Sequence, residues 1–160
     1  MAIRDSKELG SNLFVIAKRL LQNQNLCKLL INDNENPLDT EVEDTLSLLN
    51  KNIKVVPKIQ EEEFNREGKI ALVYPYGATN EQNSEFKLLR FHVLIYTPLD
   101  TWVINDENLR PFLVMSEVEK SLKDKRINGI GTMRYKDFEL TTLTDKLSCY
   151  KMEFNLDVFH

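Results

Sequence analysis

The chain has 160 residues, of which 42% are hydrophobic and 29% charged, as expected for one soluble globular domain. Its net charge of −4 argues against a dedicated duplex-DNA binder, which needs a concentrated basic surface. No apolar run approaches the roughly 20 residues that span a bilayer, and the start lacks the apolar core of a signal peptide, so the sequence predicts a cytoplasmic chain without a membrane.

The N-terminal segment has the pattern of an amphipathic helix. Asp5 and Glu8 form a D-x-x-E capping box, and apolar residues then recur at helical spacing, which predicts a helix over 6–21. The run LCKLLI at 26–31 either extends this helix or forms a second short one.

An acidic segment broken by Pro37 follows, and we predict a loop with a short helix from Asp39 to Leu49. A calcium-binding EF-hand would need Gly at the sixth position from Asp33, where Leu38 stands, so no calcium site is predicted.

The middle of the chain carries three strand candidates, IKVVPKI (53–59), KIALVYPY (69–76) and FKLLRFHVLIYTP (86–98). Between the last two, Gly77–Glu85 has a single apolar residue, Ala78, and is predicted to be an exposed, mobile loop. Alternation in the third strand predicts one fully apolar face and one mixed face. The apolar face holds Leu89, Phe91, Val93 and Ile95, and the mixed face holds Leu88, Arg90, His92, Leu94 and Tyr96.

A second helix is predicted from Asp106 to Lys123, capped by Asp106 or Asn105. After it, INGIG (127–131) predicts a turn, 132–136 and 138–143 a hairpin about Asp137, and the alternating run 150–159 a closing strand. The order of elements predicts one α+β domain over 1–160, with a mostly antiparallel sheet and its helices on one face.

Residue types that carry chemistry are sparse. His160 is terminal, and His92 inside a strand is better explained as structural. The sequence lacks a zinc spacing, a nucleophile elbow and a P-loop, and Cys27 and Cys149 lie in apolar contexts typical of buried free thiols. We therefore predict no enzyme, no cofactor and no metal.

The stretch YTPLDTWVIND at 96–106 links the third strand to the second helix. Asp100 and Asp106 could serve as a carboxylate pair, but acids at a helix start are more often caps. We predict a joint that orients the helix, in which Pro98 ends the strand, Asp100 folds back on the turn and Trp102 is largely buried over the sheet end.

Two features predict an assembly surface. The second helix has one apolar stripe (Pro111, Val114, Met115, Val118 and Leu122) and a further apolar side at Leu109, Phe112 and Leu113, which either a partner subunit or the N-terminal helices must cover. The closing strand, close to the end of the chain, is predicted to form a sheet edge that pairs with a neighbour. Its outer face carries Lys151, Glu153 and Asp157.

This layout, with the stretches NQNLCKLLINDNENPL (23–38) and FHVLIYTPLDTWVINDENLRPFLVMSEVEKSL (91–122) and their PLD-x-W joint, resembles the tail-terminator (tail-completion) proteins of tailed bacteriophages. The resemblance covers most of the chain as an order of elements. It implies a non-enzymatic homo-oligomer, a ring that is six-fold in the family, which stops growth of the tail tube and meets the head connector.

Its implied partners are the tail tube protein and a neck or connector protein, with DNA passing nearby without specific binding. The implied location is the tail or neck of the virion, after synthesis in the host cytoplasm. Two alternatives stay open: another neck or head–tail connector protein, or a small cytoplasmic enzyme or ligand-binding module with a pocket near Arg90 and His92.

Overall fold

A computed structural model describes Ile3 and residues 5–127 and 130–158, without the side chain of Asp106. His160 and the centre of the predicted turn at 127–131 lie outside these residues. The α-helices of this part are α1 (Ser6–Leu21), α2 (Gln24–Ile31) and α3 (Arg110–Leu122). The strands are β1 (Ile53–Lys54), β2 (Lys69–Thr79), β3 (Phe86–Pro98), β4 (Val103–Ile104), β5 (Asn108–Leu109), β6 (Arg126–Ile127), β7 (Gly131–Leu143) and β8 (Leu147–Val158).

Six strands form one sheet in the order β1-β2-β3-β8-β7-β6, and β4 pairs with β5 separately. β1 runs parallel to β2, and the other pairs are antiparallel. The predicted α+β fold is therefore confirmed. The prediction that the closing strand forms an edge is wrong, because β8 lies between β3 and β7. After α3 the chain forms the short strand β6 and then β7, and these two strands lie outside β8 on that side of the sheet.

The helices form where local signals predict them. The Asp5 side chain accepts a hydrogen bond from the Lys7 amide at 2.9 Å, and the Glu8 carboxylate accepts one from the Asp5 amide, which together form the predicted capping box. Asn23 caps a new helix by accepting from the Leu26 amide at 3.0 Å. The run 26–31 is therefore a second helix and not an extension of the first.

The predicted helix from Asp39 to Leu49 is wrong. This segment contains the last residue of one short 3-10 turn, Pro37–Asp39, and the whole of another, Thr45–Leu48. The Asn32 side-chain amide donates to the Thr40 carbonyl at 2.8 Å, and the Gln24 side chain bonds both backbone groups of Val42. These side-chain contacts occupy backbone groups that a helix would need for itself.

One face of the sheet packs against the helices and forms the main core. All four residues of the predicted apolar face of β3 are buried, and they join side chains of β8 and of all three described helices in one cluster. The predicted stripe of α3, from Pro111 to Leu122, is buried as well. On the opposite face, the segment after β1 contributes Ile59 to a smaller cluster with Tyr96 and Cys149.

Three predicted boundaries change. β2 continues to Thr79 and Glu85 is buried, so the predicted loop Gly77–Glu85 shrinks to a turn, which Asn80 closes by donating its amide to the Glu85 carbonyl at 2.7 Å. The strand candidate 53–59 is regular only at Ile53–Lys54.

The third change removes the hairpin predicted about Asp137. β7 runs through this position, with a register shift between Tyr135 and Asp137, and pairs with β8 along its length. A β-bulge absorbs the extra residue without ending the strand, so the exposed polar residue at this position does not mark a turn. No helix in the described part of the chain is long and apolar enough to cross a membrane.

Candidate assembly surface

The joint between β3 and α3 is anchored by Arg110, which is 2% exposed. Its Nε donates to the Thr101 carbonyl at 2.8 Å, and its terminal nitrogens donate to the carbonyls of Leu29, Asn32 and Asn34 at 2.7–2.9 Å. Burial lowers the pKa of this guanidinium. One side chain thus ties the start of α3 to the end of α2. Sequence reasoning missed it, because an arginine in a first helical turn looks like a surface residue.

The rest of the joint differs in detail from the prediction. Leu109, and not Asp106 or Asn105, occupies the N-cap of α3 and leaves the first turn without a side-chain cap. Asp100 pairs outward with Arg66 at 2.6 Å and does not fold back on the turn. Trp102 is only partly buried, and its Nε1 donates to the Ser148 hydroxyl at 2.9 Å.

An aromatic cluster lies beside this joint. We define the assembly surface as Trp102, Leu109, Phe112, Phe138, Leu140 and Tyr150. The ring centre of Phe112 lies 5.3 Å from that of Tyr150 and 6.3 Å from that of Phe138, and the Trp102 ring lies 6.1 Å from Tyr150. Phe112, Phe138 and Leu140 remain 40%, 51% and 43% exposed. The side chains of the cluster therefore pack against one another on one side and remain exposed to solvent on the other.

A groove of about 430 Å³ runs along this surface between α3 and β7. Its lining residues are Phe112, Met115, Glu119 and residues 135–138. The bulge of β7 lies within this lining. Apolar side chains line much of the groove, and charged ones (Glu119, Lys136 and Asp137) stand beside them.

The outer edge of β7 continues the surface. β6 pairs only with Gly131 and Thr132, so the rest of β7 has no strand on that side within the described residues. The stretch from Lys136 to Leu143 is exposed throughout. The edge predicted for the closing strand therefore exists one strand further out, next to the exposed aromatic residues.

The predicted interface residues separate into two groups. Leu109 and Phe112 belong to the assembly surface, while Leu113 is partly buried against the main core. The second group lies on the other face of the sheet, the one that does not pack against the helices. Its residues on β8 pair with mixed-face residues of β3: Lys151 with Leu94, Glu153 with His92 and Asp157 with Leu88. The structure therefore does not bring the apolar and charged groups together.

On that opposite face, charged residues pair across the strands. The Glu153 carboxylate lies 2.9 Å from His92 Nε2 and 3.7 Å from Lys136 Nζ, and the hydrogen bond with His92 lowers the pKa of Glu153. The Arg90 guanidinium stacks 5.0 Å over the Tyr76 ring. These contacts engage His92 and Arg90 with neighbouring side chains, so the hypothesis of a ligand pocket there gains no support from them.

The cysteines are free and buried, as predicted. Burial raises the pKa of the Cys27 thiol to about 11 and also raises that of Cys149. Because the thiolate is the nucleophile and the metal ligand, neither side chain is prepared for such chemistry near neutral pH.

Chelation is expected to leave the stability of the protein unchanged. Among the described residues, no group of three or more His, Cys, Asp and Glu side chains could hold a metal ion. The melting temperature, followed by circular dichroism, should be the same with and without EDTA. A clear decrease that Zn²⁺ or Ca²⁺ reverses would contradict the prediction.

Residues 23–156 match a family model whose name comes from an SPbeta-like prophage gene, which makes this a phage-related protein. The family is YomW, and the chain belongs to it. No curated protein matches the chain.

Proposed function

We propose that the protein is a non-enzymatic virion component that forms a homo-oligomeric ring at the end of a phage tail tube, as a tail terminator at the head–tail junction. The observation that carries the proposal is the assembly surface, with its exposed aromatic residues beside the open edge of β7. Membership of a phage-related family supports it, as does the α+β fold that the resemblance to tail terminators implies.

The assembly surface has the properties of an interface core. Exposed aromatic side chains that already pack on one another lose little freedom when a partner covers them, and such residues provide much of the binding energy at interfaces. An open strand edge adds unpaired backbone groups that a neighbour can satisfy. Natural monomers usually protect both features, so their proximity favours a covered state.

The positions of the two predicted interface groups favour a ring over a two-fold dimer. A two-fold contact joins a patch to its own copy, whereas a closed ring joins two different patches. Leu109 and Phe112 lie on the helix side of the sheet, and Lys151, Glu153 and Asp157 lie on the other. In the proposed ring, each subunit would present these different surfaces to its two neighbours.

In this proposal one side of the ring contacts the tail tube protein and the other contacts a neck or connector protein. The resemblance to tail terminators gives six subunits and a place in the tail or neck of the virion, reached after synthesis in the host cytoplasm. DNA would pass through the ring without sequence-specific contacts.

Deletion of the gene from an inducible prophage tests the proposal. We expect electron micrographs of induced lysates to show tail tubes of irregular length and heads without tails, and expression of the wild-type protein should restore joined particles. Tails of normal length that fail to join heads would instead indicate a neck or connector protein. Normal virions would overturn both assignments.

A further inference from the structure

The outer side of α1 carries apolar side chains that remain exposed. The buried residues of this helix, from Leu13 to Leu21, face the core. On the opposite side, Phe14 and Val15 are 38% and 44% exposed. The solvent side of an amphipathic helix is normally polar, so two neighbouring apolar residues there mark a surface that a partner can cover.

A lysine stands at each end of this apolar pair. Helical spacing places Lys7, Ser11, Phe14, Val15 and Lys18 along one line of α1, which we call the α1 ridge. Lys7 and Lys18 are exposed, and no ion pair in the described part of the chain involves either of them. They lie about three turns apart, or about 16 Å along the helix axis. The ridge thus has an apolar centre and a positive charge at each end, in a chain whose net charge is −4.

A groove of about 300 Å³ lies beside the ridge, between α1 and β6, with Val15 and Ile127 as its apolar lining. A groove next to a ridge is the shape into which the side chains of a second helix pack. Both arginines of this groove are already engaged, because Arg19 Nε donates to the Ser121 carbonyl at 3.2 Å and Arg126 has an interaction partner of its own. We therefore assign the unpaired charge of the ridge to its two lysines alone.

We propose that the α1 ridge docks an amphipathic α-helix of a different protein. The apolar stripe of that helix covers Phe14 and Val15, and carboxylates about three turns apart on it pair with Lys7 and Lys18. A helix fits better than a strand, because the backbone groups of α1 are bonded within the helix and leave no edge for strand pairing. Acidic flanks are favoured, because a basic partner would be repelled at both ends of the ridge.

Other occupants fit the ridge less well. A nucleic acid carries charge continuously along its backbone, whereas the ridge places two apolar side chains between its cations. A second copy offers no matching helix among those described, since α2 contains no acid and Lys120 stands beside Glu119 on α3. The ridge contributes no residue to the assembly surface, so this docking adds a further partner protein and does not require the proposed ring.

Fluorescence anisotropy with synthetic helical peptides tests the site on the intact protein. The probe is a labelled peptide, stabilised as a helix, with a leucine stripe and two glutamates three turns apart on its flanks. We expect saturable binding at low salt, which weakens about tenfold when both glutamates are replaced by glutamine and is lost when they are replaced by lysine. Added salt should weaken the binding of the glutamate peptide more than that of the glutamine peptide.

Two variants of the protein locate the binding site. Phe14→Ser should weaken binding of the glutamate peptide by more than about tenfold, because it removes the aromatic centre of the ridge. Lys7→Gln/Lys18→Gln should weaken the same peptide about tenfold and leave binding of the glutamine peptide unchanged. All three side chains are exposed, so the fold should be retained, which circular dichroism checks.

Phe138→Ser and Lys58→Gln/Lys87→Gln are the matched controls, since they change the same residue types at exposed positions outside the ridge. Both should bind the glutamate peptide as the wild type does. Equal weakening by the ridge variants and their controls would overturn the proposal. Equal binding of the lysine and glutamate peptides would overturn it too, as would the absence of saturable binding up to about 1 mM peptide.

Two further results would replace the acidic helix with another occupant. Binding of duplex DNA that Lys7→Gln/Lys18→Gln removes and Phe14→Ser leaves intact would overturn the proposal in favour of a nucleic-acid site. A decrease of the mass in solution caused by Phe14→Ser would overturn it in favour of a contact between copies. A monomeric wild type would contradict the proposed ring but leave the expected peptide binding unchanged, so the two proposals fail separately.

Discussion

Arg110→Met should lower the free energy of unfolding by about 3–5 kcal/mol, the largest effect expected from a single substitution in the joint. The guanidinium donates to four carbonyls and is 2% exposed, whereas methionine of similar length donates to none. A buried carbonyl left without a donor costs about 1–3 kcal/mol, and the removal of a buried charge offsets part of the total. Urea denaturation followed by circular dichroism measures the loss.

Two further variants make this prediction specific. Arg110→Lys keeps the charge but lacks the planar fork, so it should restore only part of the stability. Arg66→Met is the matched control, because Arg66 also joins distant segments through its pairs with Asp33 and Asp100, but it does so in solvent. Exposed ion pairs contribute little to stability, so the free energy of unfolding of this variant should be close to that of the wild type. Similar losses for Arg66→Met and Arg110→Met would show that burial of the guanidinium is not the cause.

The sequence predicted best those elements whose signals are local. The capping box of α1, the apolar face of β3 and the buried stripe of α3 follow from spacing alone, and the structure confirms each of them. Regular alternation over 150–158 also placed the closing strand correctly, with Met152 and Phe154 buried. Periodicity fixes which side of an element is buried, whatever lies beyond it.

The predictions that were wrong concern features that depend on contacts with distant parts of the chain. β8 lies inside the sheet because it pairs with both β3 and β7. The position of a strand along the chain does not determine its position in the strand order of the sheet. The helix predicted over 39–49 does not form, because the side chains of Asn32 and Gln24 form hydrogen bonds with backbone groups of this segment. Arg110 could not be identified as buried, since its carbonyl acceptors come from two separate segments of the chain, 29–34 and Thr101.

The candidate interface was predicted in part: one of its residues follows from local spacing, and others depend on the pairing of distant strands. Phe112 was predicted to lie outside the buried stripe of its helix, and it does. Phe138 and Leu140 were missed, because they were assigned to a hairpin about Asp137 and not to one continuous strand beside α3. The aromatic cluster is formed by a register shift in β7, and a single polar residue in an alternating run does not distinguish a bulge from a turn.

Phe112→Asp should leave the subunit folded but abolish assembly. The Phe112 ring is 40% exposed and rests on Tyr150 and Phe138, so an aspartate at this position keeps its water in the isolated subunit. In an interface the same carboxylate would be buried without a partner, at a cost of several kcal/mol, which corresponds to a loss of affinity of a hundredfold or more. Circular dichroism reports the fold, and light scattering reports the mass relative to the 18.7 kDa chain.

Phe14→Asp provides a matched control, because Phe14 is 38% exposed on α1 and lies outside the assembly surface. It changes the same residue type at nearly the same exposure, so it should retain the wild-type oligomer. Phe112→Leu keeps an apolar side chain and should assemble more weakly than the wild type without losing the oligomer. A folded Phe112→Asp protein with the wild-type mass would remove α3 from the interface. Loss of assembly in both Asp variants would show that added charge, and not the position on α3 and β7, prevents association.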